Sequence, residues 1–367
     1  MTSSAHDAPA LRTLGWDERL EAAFADAGDA GSPARVVRVD RGGHVNLVTG
    51  EGPLRARLSP EFRRAAPVEV PTVGDWVVVG SERLDGLPVV TTLLPRRSAI
   101  VRRAPEDRGA DAQVLAANVD VAFVVAALDA DDDGRGVLQR RLDRYVALVW
   151  ESGATPVIVL SKADRVADPT PTAEAVAAAT PGVEVLVTSA RTGLGVDAVA
   201  AHVPDGVTAV LLGMSGAGKS TLANRLLGRE VLATGEVRRD DRGRHTTTAR
   251  ELVVIPGGGV LIDTPGLREL ALWEAERGLA DAFPDIEELA ASCRFGDCSH
   301  SHEPGCAVRE ALESGGLDPE RWDSYATLRA EQQALARRQD ARLRAAEQRR
   351  WKAVNRSLRA LRDERGR

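Results

Sequence analysis

Hydrophobic and polar positions alternate over short runs in the first quarter of the chain. Turn-forming residues separate these runs, which is typical of strands in a small barrel. The predicted strands are Arg35–Asp40, Val45–Val48, Leu54–Leu58, Asp75–Val79 and Pro88–Leu94. We therefore predict an OB-fold in this region, with an SH3-like barrel as the closest alternative.

Beyond residue 117 the pattern changes to apolar runs that alternate with helical stretches. The predicted strands are Val119–Ala126, Thr155–Leu160, Glu184–Thr188, Thr208–Leu212, Leu252–Ile255 and Val260–Ile262. The predicted helices between them include Leu138–Ser152, Thr172–Ala179 and Lys219–Leu227. This alternation predicts an α/β domain whose mostly parallel sheet is covered on both faces.

The two ends of the chain differ from these regions. The start is rich in Ala, Asp, Gly and Ser, which predicts a flexible arm with one short helix near residues 17–27. Near the other end, Asp318 and Pro319 are typical of a helix cap followed by a first turn. We therefore divide the chain into an arm (1–32), an OB-fold barrel (33–103), an α/β domain (114–276) and a helical domain (280–367).

Charge is distributed unevenly along the 367 residues. The net charge of −6 argues against a uniformly basic nucleic-acid binder, but residues 337–367 hold twelve Lys or Arg and four Asp or Glu. The N-terminus lacks a basic start followed by an apolar core, and the most apolar run, Val119–Leu128, is shorter than the ~20 residues of a membrane span. We expect a cytoplasmic monomer with no membrane partner.

A phosphate-binding signature occupies residues 213–220. Gly-Met-Ser-Gly-Ala-Gly-Lys-Ser fits GxxxxGK[ST] in full, and it lies between an apolar strand and a helix. In such loops backbone N–H groups surround the phosphates, the lysine bridges the β- and γ-phosphates, and the serine binds Mg²⁺. Lys219 is thus a candidate catalytic group and Ser220 a magnesium ligand. The predicted nucleotide-binding residues here are Gly213, Met214, Ser215, Gly216, Ala217, Gly218, Lys219, Ser220 and Thr221.

Two shorter motifs indicate that the nucleotide base is guanine. Ser161-Lys162-Ala163-Asp164 follows an apolar strand and is close to the Asn- or Thr-Lys-x-Asp motif of GTPases. The Asp164 carboxylate can accept from the two donors on one edge of guanine, which adenine lacks. Ser189-Ala190 follows the next strand, where ligands bind in open α/β sheets. Serine is shorter than asparagine, so the sequence leaves open whether the loop of residues 161–164 (the base loop) is tied to the loop of residues 213–220 (the phosphate loop).

Two later segments resemble nucleotide switches. Asp263-Thr-Pro-Gly266 ends an apolar strand, so Asp263 is a candidate for holding Mg²⁺ through water and Gly266 for sensing the γ-phosphate. In residues 243–248, one of three threonines is the expected second Mg²⁺ ligand, with Thr247 as our candidate. His245 is a candidate for orienting the attacking water, although a lone loop histidine is more often merely solvated. Leu267 stands where many GTPases carry a water-positioning Gln, so slow intrinsic hydrolysis is expected.

Three cysteines and a histidine lie within fourteen residues near the C-terminal helices. Tight clustering in a chain without an export signal favours a metal site over disulfides. Three thiolates and one imidazole fill a closed tetrahedral site, so we predict one structural Zn²⁺ per chain. His302 is a spare alternative to the histidine chosen. The predicted ligands are Cys293, Cys298, His300 and Cys306.

The order of the motifs is permuted relative to Ras-like GTPases, because the base motifs precede the phosphate loop. With Val73-Gly-Asp75, Ala117-Asn-Val-Asp120, Gly243-Arg-His-Thr-Thr-Thr248 and the Cys/His cluster, the chain resembles the ribosome small-subunit-dependent GTPase A family. The resemblance covers about residues 33–330 and implies a circularly permuted GTPase between an OB domain and a zinc domain. It also implies binding of GTP and GDP, stimulation by the small (30S) ribosomal subunit, and a role in late 30S maturation.

Two basic groups are candidates for contacting rRNA. Arg96, Arg97, Arg102 and Arg103 follow the last barrel strand, and Arg349, Arg350 and Lys352 surround Trp351 near the C-terminus. A solvated charged helix is an equally good interpretation of the second group, and only the resemblance favours RNA. A non-enzymatic scaffold that responds to GTP or GDP is the alternative function. An ATP-using enzyme is disfavoured by Asp164.

Overall fold

The computed structural model describes residues 9–28, 31–102, 112–128, 135–229, 250–263 and 276–333. Five strands near the start form a closed barrel in the order β1-β2-β3-β5-β4-β1, with β3 and β5 parallel and the other neighbours antiparallel. This closed Greek-key order confirms the predicted OB-fold. The strands are β1 (Ser32–Val39), β2 (His44–Thr49), β3 (Gly52–Leu58), β4 (Trp76–Leu84) and β5 (Leu87–Leu93).

A short antiparallel pair, β6 (Ala99–Arg102) and β7 (Gln113–Ala117), connects the barrel to the α/β sheet. The sheet has the strand order β10-β9-β8-β11-β13-β12, in which the first five strands are parallel and β12 is antiparallel. All six predicted strands are confirmed to within two residues at each end. They are β8 (Val121–Ala127), β9 (Thr155–Ser161), β10 (Glu184–Val187), β11 (Thr208–Leu212), β12 (Glu251–Val254) and β13 (Val260–Asp263).

Helices cover both faces of this sheet, so successive side chains of each strand pack into different apolar cores. In β8, Val124 packs into one core and its neighbours Phe123 and Val125 into another. The described helices are α1 (Pro9–Thr13), α2 (Glu18–Asp26), α3 (Arg135–Glu151), α4 (Thr170–Ala179), α5 (Val196–Ala201), α6 (Lys219–Leu226), α7 (Glu276–Ala282), α8 (Pro284–Ala291), α9 (Ala307–Ser314) and α10, described over 319–333. None of these helical stretches is long and apolar enough to cross a membrane.

The N-terminal segment is packed against the rest of the chain over residues 9–28. Leu11 and Leu20 are buried, and Trp16 packs edge-on against Trp76 of β4 with ring centroids 4.9 Å apart. The Asp17 carboxylate accepts from the backbone N–H of Leu20 and caps α2. The expectation of a flexible arm is therefore wrong for residues 9–28, because a few apolar side chains among many small ones anchor the segment.

A buried arginine joins the barrel to the α/β sheet. Arg35 of β1 donates to the carbonyls of Leu14, Gly74 and Asn118 and, at 2.9 Å, to the Thr208 hydroxyl at the start of β11. Burial lowers the pKa of Arg35 to about 10, so the guanidinium stays charged at neutral pH. Residues 73–75 and 117–120, which the sequence singled out, thus meet at this junction.

The same junction requires glycine at position 74. Gly74 has φ +89°, and a Cβ there would lie 2.1 Å from the carbonyl oxygen of Ala117. Nearby, β12 pairs with β13 on one side and, through Arg38 opposite Glu251, with β1 on the other. Barrel and α/β strands therefore form one continuous hydrogen-bonded sheet of eleven strands.

The C-terminal helices pack on the α/β domain through a second buried arginine. Arg321 of α10 holds both carboxylate oxygens of Asp285 at 2.7 and 2.6 Å, and its guanidinium lies 4.7 Å from the Phe283 ring centroid. It also donates to the carbonyl of Ala179, the last residue of α4. The helix begins as predicted, because the Asp318 carboxylate accepts from the N–H of Glu320.

Candidate functional site

The predicted nucleotide motifs come together at one edge of the sheet. Ser161 is the last residue of β9, Gly213 directly follows β11, and Asp263 is the last residue of β13. Ser189 lies two residues beyond β10. Because these four strands are parallel, their carboxyl ends share an edge, which is where ligands bind in open α/β sheets.

The phosphate loop adopts a conformation that only glycine permits at its start. Gly213 has φ +127°, and a Cβ there would lie 2.1 Å from the carbonyl oxygen of Val125. Gly218 has φ +87° and precedes the first residue of α6, so the N-terminus of that helix points toward the loop. Lys219 donates to the carbonyl oxygen of Gly213 at 2.6 Å and to that of Met214. The loop therefore has the curled shape that suits phosphate oxygens.

Ser161 connects the base loop to the phosphate loop. Its hydroxyl donates to the carbonyl oxygen of Ala217 at 2.6 Å, and both residues are buried, with exposures of 4%. The sequence left this connection open because serine is shorter than the asparagine of other GTPases. The shorter side chain suffices because the carbonyl oxygen of Ala217 lies within its reach, and a Cβ added at the neighbouring Gly218 would be only 3.6 Å from the Ser161 hydroxyl oxygen.

Asp164 lies in the base loop with both carboxylate oxygens engaged. One oxygen accepts from the Ser189 hydroxyl at 2.5 Å and the other from Nε of Arg191 at 2.8 Å. The Ser189 hydrogen bond, followed by the charge of Arg191, holds the pKa of Asp164 below its usual value. The base loop is tied to β10 by a hydrogen bond from the N–H of Ala163 to the carbonyl of Thr188, 3.0 Å long. Asp164 is thus an ionised, oriented acceptor.

Several predicted site residues fall outside the described residues. These are His245, Thr247, Gly266 and Leu267. Asp263 is described through its backbone, which pairs with Glu251 at the end of β13. Lys162, by contrast, is described in a left-handed conformation with φ +59°, which turns the chain sharply between Ser161 and Asp164.

The predicted metal ligands form a compact cluster. The ligand atoms of Cys293, Cys298, His300 and Cys306 all lie within 4.8 Å of one another. Nδ1 of His300 is 3.6 Å from Sγ of Cys293 and 3.5 Å from Sγ of Cys306, and those two sulfurs are 3.9 Å apart. The cluster includes His300 and not His302, and it could hold one metal ion.

Glu303 organises the loop between two of these ligands, a role that the sequence analysis missed. Its carboxylate accepts from the N–H groups of Ser299, Ser301 and His302 and from the Ser299 hydroxyl. These bonds, led by that of the Ser299 hydroxyl, hold the pKa of Glu303 far below its usual value. The loop carries His300 at φ +60°, so Glu303 stabilises an unfavourable backbone turn at a predicted metal ligand. In the sequence, the one indication of this role is that Glu303 follows closely after Cys298 and His300.

Two arginines predicted to contact RNA have internal partners. Arg96 binds both oxygens of the fully buried Asp75 at 2.7 Å and donates to the carbonyls of Val68 and Val70. The interpretation of Arg96 as an RNA contact is therefore wrong, because its charge neutralises a buried carboxylate. Arg97 is 44% exposed and pairs with Asp120.

Most of the other predicted RNA contacts lie outside the described residues. Arg102 is the last residue of β6, and Arg103 lies outside the described residues. The basic C-terminal group Arg349, Arg350, Trp351 and Lys352 also lies outside them.

Comparisons with known proteins agree with this arrangement. A family model described as RsgA GTPase matches residues 93–273. A small ribosomal subunit biogenesis GTPase RsgA of Streptomyces avermitilis is 49% identical over 96% of this chain and 92% of its own length. YjeQ from Thermotoga maritima has a TM-score of 0.60 at 23% identity, covering 82% of this chain and 98% of that one. YloQ, titled a circularly permuted GTPase, has a TM-score of 0.58 at 25% identity, covering 83% and 96%.

Proposed function

Because this chain belongs to the RsgA GTPase family and is a GTP phosphohydrolase, we propose that it acts in the cytoplasm on the small ribosomal subunit. It hydrolyses GTP slowly alone and faster on the subunit, and it assists late 30S maturation. The observation that carries the nucleotide part is the Ser161–Ala217 hydrogen bond, which joins the base loop to the phosphate loop. The ribosomal part is supported by relatives that are named for small-subunit biogenesis and align over nearly their whole length.

The nucleotide lies along the carboxyl edge of the sheet in this proposal. The phosphates bind at residues 213–221, with Mg²⁺ held by Ser220, Asp263 and one threonine of the segment 246–248. The guanine base binds at Asp164, beside Ser189 and Ala190. The test is competition of GDP and ADP against a fluorescent GDP analogue. Preference for GDP by at least a hundredfold is expected, since a site built to satisfy two hydrogen-bond donors rejects a ligand without them. Equal competition would contradict guanine recognition.

The hydrolysis rate distinguishes a ribosome-stimulated enzyme from a passive scaffold. Leucine at position 267 cannot polarise water, so single-turnover hydrolysis by the protein alone should be slow. Addition of purified small subunits should accelerate it by at least a hundredfold, within the range known for partner-stimulated GTPases. Lys219→Ala is the matched control, because it removes the phosphate-binding ammonium group. If the wild-type protein with subunits turned over no faster than Lys219→Ala, the scaffold function would replace this proposal.

The barrel supplies an RNA-binding surface at the loop between β1 and β2. Arg41 is exposed in that loop, Arg55 is exposed on the adjacent β3, and Arg63 approaches Gly43 of the loop. This position matches the strand face and loop by which OB-folds bind nucleic acid. Replacing Arg55 and Arg63 by Gln should weaken subunit binding and reduce its salt dependence. An unchanged salt dependence would exclude this surface.

The described C-terminal helices are less suited to RNA. Over residues 278–333, eight acidic residues are exposed, against a single exposed lysine or arginine, Arg294. Phosphate groups would be repelled from this face. The RNA contacts are therefore assigned to the barrel and to the basic segment 337–367.

The metal in the cluster is proposed to be zinc. Tetrahedral coordination with Zn–S near 2.3 Å and Zn–N near 2.05 Å requires sulfur–sulfur separations of about 3.8 Å and sulfur–nitrogen separations of about 3.6 Å. The observed 3.9, 3.6 and 3.5 Å among Cys293, His300 and Cys306 agree with these values, and the ligand atom of Cys298 lies within 4.8 Å of the others. Four protein ligands leave no open position, so the ion stabilises structure. Metal analysis should find one zinc per chain.

A further inference from the structure

Arg191 lies beside the carboxylate of Asp164 and is not among the predicted site residues. Its Nε donates to the second oxygen of Asp164 at 2.8 Å. The arginine is 76% exposed, whereas Asp164 is only 14% exposed. The contact therefore reaches from the surface into the base loop.

The loop that carries Arg191 is closed by its own hydrogen bonds. The N–H of Ser189 donates to the carbonyl of Leu194 at 2.9 Å, and the N–H of Gly193 donates to the carbonyl of Ser189 at 2.8 Å. The N–H of Thr192 reaches the Ser189 hydroxyl at 3.2 Å. These bonds fix the backbone on both sides of Arg191, so its side chain starts from a defined position beside Asp164.

The hydrogen-bonding capacity of Asp164 matches guanine once Ser189 and Arg191 are counted. An ionised carboxylate offers two acceptor positions on each oxygen. Ser189 takes one position on the first oxygen and Arg191 takes one on the second. A carboxylate with this capacity can accept from Ser189 and Arg191 together with the two donors on the guanine edge, the ring N–H and the exocyclic amine. The two protein donors also oppose rotation of the carboxylate about its Cβ–Cγ bond.

We propose that Arg191 is a positioning residue for guanine recognition, which holds the second oxygen of Asp164 toward the exocyclic amine of the base. This inference rests on the proposed binding of guanine nucleotide at Asp164. It adds that selectivity for the amine depends on Arg191 as well as on the carboxylate itself.

The test compares GDP with inosine diphosphate, which keeps the ring N–H and lacks the exocyclic amine. Arg191→Ala should weaken GDP binding and leave inosine diphosphate binding nearly unchanged. The ratio of the two affinities should fall about two- to fivefold, the range of an exposed ion pair. Arg191→Lys should give an intermediate ratio, because lysine keeps the charge and lacks the planar fork of donors.

Arg229→Ala is the matched control, since it removes one exposed positive charge in the turn after α6. It should leave the ratio at its wild-type value. An unchanged ratio in Arg191→Ala, or tighter GDP binding, would overturn the inference, the latter because Arg191 would then compete with the base. Failure of the wild-type protein to prefer GDP over ADP would instead overturn the proposed function.

Discussion

Replacing Ser161 by alanine tests whether the base loop and the phosphate loop must be joined for nucleotide binding. The Ser161 hydroxyl donates to the carbonyl oxygen of Ala217 at 2.6 Å. Because Ala217 is only 4% exposed, water has little access to take the place of the lost donor. The phosphate loop would then lose its hydrogen bond to the base loop, and part of the binding energy would be used to realign the two.

The size of the effect follows from the burial of this hydrogen bond. Leaving a buried acceptor without its donor costs about 1–3 kcal/mol, which corresponds to about a five- to 150-fold change in affinity. The affinity for GDP falls by this full amount only if the two loops separate in the nucleotide-free protein. We therefore expect GDP binding to weaken about tenfold in Ser161→Ala, near the lower end of that range.

The dissociation constant of GDP, measured by calorimetry, checks this expectation. Ser161→Thr is the matched control, because it keeps the hydroxyl and should therefore bind GDP more tightly than Ser161→Ala. If Ser161→Ala bound GDP as tightly as wild type, the loops would be positioned independently. The structural account of Ser161 would then be refuted.

Three further predictions concern stability. Arg96→Met should destabilise the protein by about 3–5 kcal/mol because it leaves Asp75 buried and unpaired, whereas Arg97→Met, at an exposed pair, should cost less than about 1 kcal/mol. Urea unfolding of both variants measures the difference. Burial raises the pKa of Asp143 from 3.8 to about 6, so the folded state favours the protonated carboxyl. The resulting contribution to the free energy of unfolding is fully present below pH 3.8 and is lost as the pH rises past 6. Asp143→Asn should therefore raise the melting temperature at pH 8 and leave it unchanged at pH 3.5, and equal effects at both pH values would contradict this assignment. Cys306→Ser should reduce bound zinc below one per chain and increase hydrogen exchange in α9, which begins at the next residue.

The strands and the site edge could be predicted because their signals are local. Apolar runs define β8–β13, and the residues that follow them in the sequence must lie at the ends of those strands. The metal cluster was predictable for the same reason, since its four ligands lie within fourteen residues of one another.

What the sequence could not supply is the identity of distant partners. A run of arginines after the barrel indicates positive charge, but only the fold shows that Arg96 neutralises Asp75, twenty-one residues earlier. The N-terminal segment was misinterpreted because its average composition hides Leu11, Trp16 and Leu20, which are the residues that pack. Arg191 likewise has no distinguishing signal in the sequence, and only the loop places it against Asp164.

The pairing of β12 with both β1 and β13 determines how the barrel and the nucleotide edge can move. Any rotation of the barrel about β1 must be transmitted through backbone hydrogen bonds to β13, which ends at Asp263. If the barrel binds RNA as proposed, twisting it would therefore strain the strand that ends at Asp263, the proposed magnesium ligand. The barrel and the strand that ends at Asp263 thus share β12 as a common hydrogen-bonded neighbour.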